Sequence, residues 1–263
     1  MATPCFIVEL GMSNQRMEIM TIATDLQRIE QQLASEGDTP HVRTAFWRIV
    51  GKMKRQNPSR LTEAEIDRAA AIRNRLFKQP VILKVRTGLL LFFITALFAF
   101  FAFLWALFYF ESSLAMIVSL PPGITAILLN ITLGIFTIFI AYGIYPWGRF
   151  LGGLIAHVRF EGFYRYSPGE LGLKIEYTSY LKTSQSRRKW VFGFPIPWVF
   201  AFIIILVPIT WLLNPAGIWA PLIICILFVF FYLVIYRAKT GELYRFIREL
   251  RIAREVKQTQ QKG

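Results

Sequence analysis

Apolar residues in this chain come in blocks long enough to cross a membrane. Three stretches, at 87–110, 112–148 and 190–236, contain no Asp, Glu, Lys or Arg. About 20 apolar residues span the hydrocarbon core of a bilayer. The stretches therefore predict four transmembrane helices, at 87–110, 123–145, 191–213 and 218–236. Only NPAG separates the last two, and because Pro215 cannot continue a helix and Gly217 relieves the turn, they are predicted to form a tight hairpin.

The residues before the first predicted span have helical spacing. Apolar positions step by 3, 4, 3 and 4 through Ile19, Ile22, Leu26, Ile29 and Leu33. This is the spacing of a helical seam, which packs either on the next helix of the same chain or on the helices of a partner. A second helix is predicted to begin at Thr62, because Thr62 and Glu65 form the T-x-x-E pattern of a capping box.

Two further polar segments follow. VRFEGFYRY and GLKIEYTSYL are rich in aromatic and β-branched residues and flank the turn at 167–169, so they predict a β-hairpin on the membrane surface. The C-terminal GELYRFIRELRIAREVK predicts a basic amphipathic helix. Its apolar stripe could lie on an anionic leaflet or on the protein's own helices, since both remove the same face from water.

These patterns together predict an all-α polytopic membrane protein with four transmembrane helices and a small β-hairpin. Residues 1–86 are expected to form a cytoplasmic helical region. Residues 87–236 are expected to form the membrane domain, with the hairpin in a cytoplasmic loop at 146–190. Residues 237–263 are expected to form the basic C-terminal helix.

The orientation follows from the basic residues. Of the 30 Lys and Arg, 14 lie in 1–86, 8 in 146–190 and 8 in 237–263, and none lies in 111–122 or 214–217. Basic residues concentrate in cytoplasmic loops, so both termini are predicted to be cytoplasmic, in the plasma (inner) membrane. The opening MATPCFIVEL has no basic segment before its apolar residues, so the first span is expected to act as the insertion signal.

The net charge of +14 is distributed by this topology, so it favours anionic lipid headgroups over nucleic acid as the partner. The residues expected to reach headgroups are Arg149, Arg187, Arg188, Lys189, Arg245, Arg248 and Arg251.

The sequence offers little catalytic chemistry. The predicted spans contain no charged or histidine side chain, and Asn130 is a lone polar residue of the kind that joins helices. His41 and His157 lie far apart, no ligand spacing for a metal is present, and no nucleotide-binding motif occurs. No catalytic residue, cofactor or metal is therefore expected.

One stretch resembles a known family. AYGIYPWGRFLGGLIAHVRFEGFYRY, followed by a hairpin and YLKTSQSRRKW, resembles the order of elements in site-2 protease-type intramembrane metalloproteases over residues 124–255. Where that family carries HExxH or HPxxH, this chain has Tyr145, Pro146 and Arg149. Arginine has no lone pair for zinc, so the resemblance implies a distant, non-catalytic relative. An interface role for the aromatic and basic residues of GIYPWGRFLGG explains the same stretch without kinship.

The predicted function is a membrane scaffold or accessory subunit without catalytic activity. The seam at 19–33 would bind a protein partner or a second copy of the chain. Two alternatives remain open. One is a membrane hydrolase or lipid-modifying enzyme that uses hairpin charges, namely Glu161, Arg165, Glu170, Lys174 and Glu176. The other is a small-solute carrier with a polar cavity at Asn130, Thr132 and Thr137.

Overall fold

The computed structural model describes residues 22–117, 121–167, 170–237 and 241–262. Its helices are α1 (22–35), α2 (Pro40–Arg55), α3 (Glu63–Leu76), α4 (Val85–Ile117), α5 (Pro122–Ala156), α6 (Tyr177–Lys182), α7 (Gln185–Arg188), α8 (Trp190–Gly193), α9 (Pro195–Leu213), α10 (Trp219–Arg237) and α11 (Gly241–Lys262). Its strands are β1 (Val81–Leu83), β2 (Phe160–Ser167) and β3 (Glu170–Ile175).

Four helical segments are long and apolar enough to cross a membrane, at Val85–Phe110, Pro122–Ala156, Gln185–Leu213 and Pro215–Ile235. The four predicted spans are therefore confirmed as candidate membrane helices. The second differs from the prediction at its end, because α5 continues through Pro146 to Ala156. The stretch GIYPWGRFLGG thus lies inside one helix.

The core of the helical bundle combines small residues with large ones. Ala96 of α4 lies against Gly143 of α5, where an added Cβ would come within 2.8 Å of the Ala96 Cβ. Small residues let helix backbones approach closely in a membrane. Large side chains from three helices fill the space beside this crossing: Phe103, Leu129, Leu133, Ile140, Val199, Ile203 and Leu206.

The predicted hairpin between the last two spans is confirmed. Asn214 caps a short 3₁₀ turn at Pro215–Gly217, and Gly217 packs against Leu133 of α5. Asn130 fastens the turn to α5, because its amide nitrogen donates to the Ala216 carbonyl (2.7 Å) and its oxygen accepts from the Ala220 amide (2.9 Å). Asn130 therefore joins helices, as its isolation in the sequence predicts.

The polar segments before, between and after the spans pack against one another. Residues of α1, α2, α3, α6 and α8 share one buried cluster with the end of α5, and α11 packs against α2, α7 and α8. We call α1–α3, the three strands, α6, α7 and α11 the polar domain. The regions before, between and after the spans thus build one body around the end of the bundle. α11 packs on the protein's own helices, one of the two placements that its apolar stripe left open.

Local sequence explains where the helices of the polar domain begin. Thr62 accepts from the Glu65 amide (3.3 Å), and the Glu65 carboxylate accepts from the Thr62 amide (2.8 Å), so the predicted capping box is confirmed. Thr39 caps α2, with Pro40 in its first turn. The break between α1 and α2 is closed by Gly37, whose φ of 73° favours glycine.

The sheet is antiparallel, with the order β1-β2-β3. The predicted hairpin is confirmed as β2 and β3, in which Phe163 pairs with Leu173. β1 was not predicted, and it pairs with β2 next to Gly162. Phe163 and Leu173 pack on Leu89 and Phe92 at the first turns of α4, so the sheet lies at one end of the bundle.

Candidate functional site

A cleft of about 440 Å³ lies where the polar domain meets the bundle, and we call it the junction cleft. Its walls come from α2, α3, β2, β3, α5, α6, α8 and α11. Among the described residues that line it, six are basic and none is acidic: Lys54, Arg73, Arg149, Lys174, Arg245 and Arg248. Gln79 and a set of aromatic and aliphatic side chains form the rest of the wall: Trp47, Phe77, Tyr164, Leu173, Ile175, Tyr177, Tyr180 and Phe192.

Aromatic rings hold several of these cations in place. The guanidinium carbons of Arg149 and Arg245 both lie 5.8 Å from the centre of the Phe192 ring. Arg73 lies 5.2 Å from the Tyr177 ring. A cation over a ring face is stabilised by the ring's quadrupole without using its N–H donors. These arginines are therefore positioned while part of their hydrogen-bonding capacity stays available.

Behind one wall lies a buried ionic cluster. The Lys54 Nζ donates to Glu249 Oε1 (2.7 Å) and to the Tyr180 hydroxyl (3.0 Å), and Arg188 donates to the Lys54 carbonyl (2.6 Å). Glu249 is 0% and Arg188 1% exposed. Breaking a buried pair leaves an uncompensated charge, so this cluster ties α11 to α2 and α7.

Burial shapes the protonation of this cluster. Burial lowers the pKa of Lys54 to about 8, although the Glu249 carboxylate beside it acts in the opposite direction. Burial would raise the pKa of Glu249, but the charge and hydrogen bond of Lys54 and the charge of Arg188 outweigh it, so that pKa is lowered. Burial also raises the pKa of the Tyr177 and Tyr180 hydroxyls. At neutral pH the lysine and the carboxylate are therefore charged, and both tyrosines are neutral.

A second buried pair joins α5 to α11. Arg149 Nη1 lies 3.1 Å from Glu242 Oε1, and both side chains are less than a tenth exposed. Arg149 occurs one turn after Tyr145, so the two residues share a face of α5. Glu242 also lies within 4.0 Å of Arg245, which lines the cleft from the first turns of α11.

Some polar atoms of the cleft wall have no partner within the described residues. Tyr177 is 6% exposed and its hydroxyl has no hydrogen bond there. Arg149 is 8% exposed and its Nε has none either. Buried polar groups without partners cost free energy and are uncommon in folded proteins. Both side chains line the cleft, so a ligand there could supply acceptors.

The cleft also carries excess positive charge. Three carboxylates pair with its cations: Glu242 with Arg149 and Arg245, Glu249 with Lys54 and Arg248, and Glu161 with Lys174. Six cations face three carboxylates, which leaves a surplus of three positive charges among the described residues. The arrangement therefore favours an anionic ligand.

The residues predicted to reach headgroups lie in different places. Arg245 and Arg248 line the junction cleft, and Arg187 and Arg251 are exposed outside it. Lys189 is half-buried, 5.4 Å from the Trp190 ring. Arg149 and Arg188 differ from the prediction of an exposed headgroup contact, because each is buried beside a carboxylate. Arg149 also lines the junction cleft.

The seam predicted to bind a partner faces inward. Ile22, Leu26 and Ile29 are at most 3% exposed and belong to the core of the polar domain, and Leu33 packs against it. Ile19 lies outside the described residues. The seam therefore packs on the chain's own helices, which is the alternative that the spacing left open.

The charges proposed for an enzyme do not meet in one cavity. Glu161 and Lys174 pair across the hairpin at 2.6 Å. Glu176 lines a different cavity with Arg159, Lys182 and Arg187, and Arg165 is exposed. The side chain of Glu170 is outside the described set.

For the carrier alternative, the side chains of Asn130 and Thr137 already form hydrogen bonds to backbone carbonyls. No group of three or more His, Cys, Asp or Glu side chains within the described ranges could hold a metal ion.

Two residues of the cluster behind the cleft were missed from the sequence, although a signal exists. Phe46, Val50 and Lys54 step by four along α2, so Lys54 continues an apolar stripe. Glu249 falls between Phe246 and Ala253 at core spacing in α11. A charged residue inside an apolar stripe is either paired or displaced from the core. Opposite charges in two such stripes would have suggested that α2 and α11 meet.

Scans against protein-family models, curated proteins and solved structures return no match to the chain. The relation to site-2 protease-type proteins therefore stays an expectation from the order of elements.

Proposed function

We propose that the chain is a multi-pass inner-membrane protein without catalytic activity that binds an anionic, phosphate-bearing lipid headgroup in the junction cleft. The observation that carries this proposal is the cleft itself: six basic side chains on an aromatic wall, at the end of the bundle where the polar domain begins. Arginine recognises phosphate with paired N–H donors.

The position of the cleft favours a lipid over a soluble anion. Arg149 is contributed by the membrane helix α5, and Phe192 lies in α8, within the candidate span Gln185–Leu213. Leu173 belongs both to the cleft wall and to the cluster that packs on Leu89 and Phe92 of α4. A lipid headgroup lies at this depth without leaving the bilayer.

In this proposal the protein is a scaffold or accessory subunit whose partner is a lipid. Ile22, Leu26 and Ile29 of the seam pack on the chain's own helices, which supports a lipid rather than a protein as the proposed partner. Tyr145 and Arg149, at the positions of the zinc histidines in site-2 protease-type proteins, lie near Glu242. We infer that Tyr145, Arg149 and Glu242 hold α5 and α11 together, a structural role that suits an accessory subunit.

The proposed orientation places the polar domain and both termini in the cytoplasm, where basic loops concentrate. Single cysteines at Ser113 and Ser186, introduced after Cys5 and Cys225 are replaced, test this orientation. An impermeant thiol reagent added to intact cells should label the cysteine at 113 and spare the one at 186. Labelling of both from outside would contradict the orientation.

Lipid binding can be measured directly. The full chain, purified in a mild non-ionic detergent, is titrated with phosphatidylglycerol or phosphatidylcholine, and bound lipid is counted by native mass spectrometry. We expect preferential binding of phosphatidylglycerol, weakened about tenfold or more by the double variant Arg73→Gln/Arg245→Gln, because each lost charge-assisted hydrogen bond is worth about 1.5–3 kcal/mol.

The matched control is Arg75→Gln/Arg254→Gln, which removes two exposed charges from the same helices, outside the cleft. It should bind phosphatidylglycerol like the unchanged protein. Equal loss in both double variants would contradict a role for the cleft and leave only a general attraction to anionic lipid.

A further inference from the structure

We propose that the ligand of the junction cleft is a lipid that ends in a free phosphate, a phosphomonoester or diphosphate, rather than a phosphodiester headgroup. This inference rests on the proposed function and names the class of lipid. A terminal phosphate carries about two negative charges at neutral pH, whereas a phosphodiester carries one.

The positive charge of the cleft favours the lipid phosphate with two negative charges over the one with a single charge. Three of its positive charges have no counterpart among the carboxylates that pair with its walls. Within the described residues, Arg73 pairs with no carboxylate; it donates to the Asn74 side chain (3.2 Å) and lies over the Tyr177 ring. A phosphodiester would leave about two of these three charges uncompensated, whereas a phosphomonoester would leave about one.

The donors of the cleft also suit a phosphate with three free oxygens. Arg73 and Arg149 come from different helices, α3 and α5, and each is held over a ring. The buried Tyr177 hydroxyl and the Arg149 Nε–H are both hydrogen-bond donors, and neither has an acceptor among the described residues. Three terminal oxygens can accept from donors on several sides at once. A phosphodiester has two such oxygens and carries a further substituent that would occupy the same space.

The apolar part of the wall indicates that this phosphate belongs to an amphiphile. Leu173 packs on Leu89 and Phe92 of α4, and Phe192 belongs to α8, which packs against α5. A free phosphate would gain nothing from these contacts, since only apolar groups are stabilised by them. In a lipid with a terminal phosphate, the hydrocarbon chain would lie towards α4 and α5. The phosphate would lie towards α3 and α11.

The test compares dioleoyl phosphatidic acid, a phosphomonoester, with dioleoyl phosphatidylglycerol, a phosphodiester with the same chains. Both are titrated into the delipidated full chain in non-ionic detergent, with bound lipid counted by native mass spectrometry. We expect phosphatidic acid to bind about tenfold more tightly, the effect of one further charge-assisted hydrogen bond. The preference should disappear in Arg73→Gln/Arg245→Gln and persist in Arg75→Gln/Arg254→Gln.

A competition with inorganic phosphate separates the two sources of the anion. At millimolar concentration inorganic phosphate should leave bound phosphatidic acid in place, and displacement would overturn the assignment to a lipid. Equal affinity for phosphatidic acid and phosphatidylglycerol would overturn the inference and leave the proposed function standing. If neither anionic lipid binds better than phosphatidylcholine, the proposed function fails as well.

Discussion

At the scale of single residues, the most consequential side chains are charges buried among apolar ones. Glu249 and Arg188 are almost fully buried, and Lys54 is 6% exposed. Burial of a charge is costly unless it is paired. The pairs that satisfy them join helices distant in sequence, so they fix which segments meet behind the junction cleft.

Removal of the Glu249 charge should strongly destabilise the polar domain. Glu249→Gln keeps the size of the side chain but leaves Lys54 and Arg188 without their counter-charge, at a cost of about 3–5 kcal/mol. The matched control is Glu255→Gln on the same helix, whose carboxylate pairs with Arg55 at 3.0 Å while both side chains are about half exposed. It should cost less than about 1 kcal/mol. Thermal unfolding midpoints in detergent measure both, and equal shifts would contradict the role of the buried cluster.

Lys54 should give anion binding an unusual pH dependence. Its pKa of about 8 lies below the ordinary 10.5, so its positive charge is lost as the pH rises through 8. The groups facing it are Tyr180, Glu249, Arg188 and Arg248. Binding of phosphatidic acid should weaken between pH 7 and 9, a range in which the lipid is already ionised.

The same lowered pKa affects stability. The contribution of Lys54 to the free energy of unfolding should rise with pH from about 8 to 10.5, because in that range the unfolded chain binds more protons than the folded one.

Lys54→Arg tests this origin of the pH dependence. Arginine stays protonated over the whole range, so the variant should bind phosphatidic acid with little change between pH 7 and 9. A variant that loses binding over the same range as the unchanged protein would show that another group titrates.

At the scale of elements, patterns within a segment predicted far more than contacts between segments. Four spans, the capping box of α3, the β2–β3 hairpin and the turn at 214–217 follow from local spacing, because each depends on neighbouring residues. β1 escaped prediction because three residues after Pro80 have no alternation to detect, and only pairing with β2 makes them a strand.

The crossing of α4 and α5 depends on one glycine. A Cβ at Gly143 would come within 2.8 Å of the Phe92 carbonyl and of the Ala96 backbone nitrogen. Gly143→Ala should therefore force the helices apart and cost about 1–3 kcal/mol. Gly134→Ala, on the same helix, meets nothing within 4 Å and should be neutral or slightly stabilising. Unfolding midpoints in detergent compare the two, and similar values would contradict close packing at Gly143.

At the scale of the whole molecule, the junction cleft exists only because distant segments meet. Its lining spans Trp47 to Arg248 in sequence and combines the end of α2 with α5, the hairpin and α11. The sequence predicted that basic residues would contact lipid, and it placed Arg245 and Arg248 in that group. It could not predict that Arg149 and Arg188 would be buried, since their partners Glu242 and Glu249 lie 50 or more residues away.

The central claim is that a lipid headgroup occupies the junction cleft. The most direct test is photo-crosslinking in nanodiscs with a phosphatidic acid that carries a diazirine near its phosphate, followed by peptide mapping. We predict crosslinks to the cleft segments around Trp47, Arg73, Tyr177 and Arg245, which disappear in Arg73→Gln/Arg245→Gln and persist in Arg75→Gln/Arg254→Gln. Crosslinks confined to the outward faces of the four spans, and equal in all three proteins, would contradict the account.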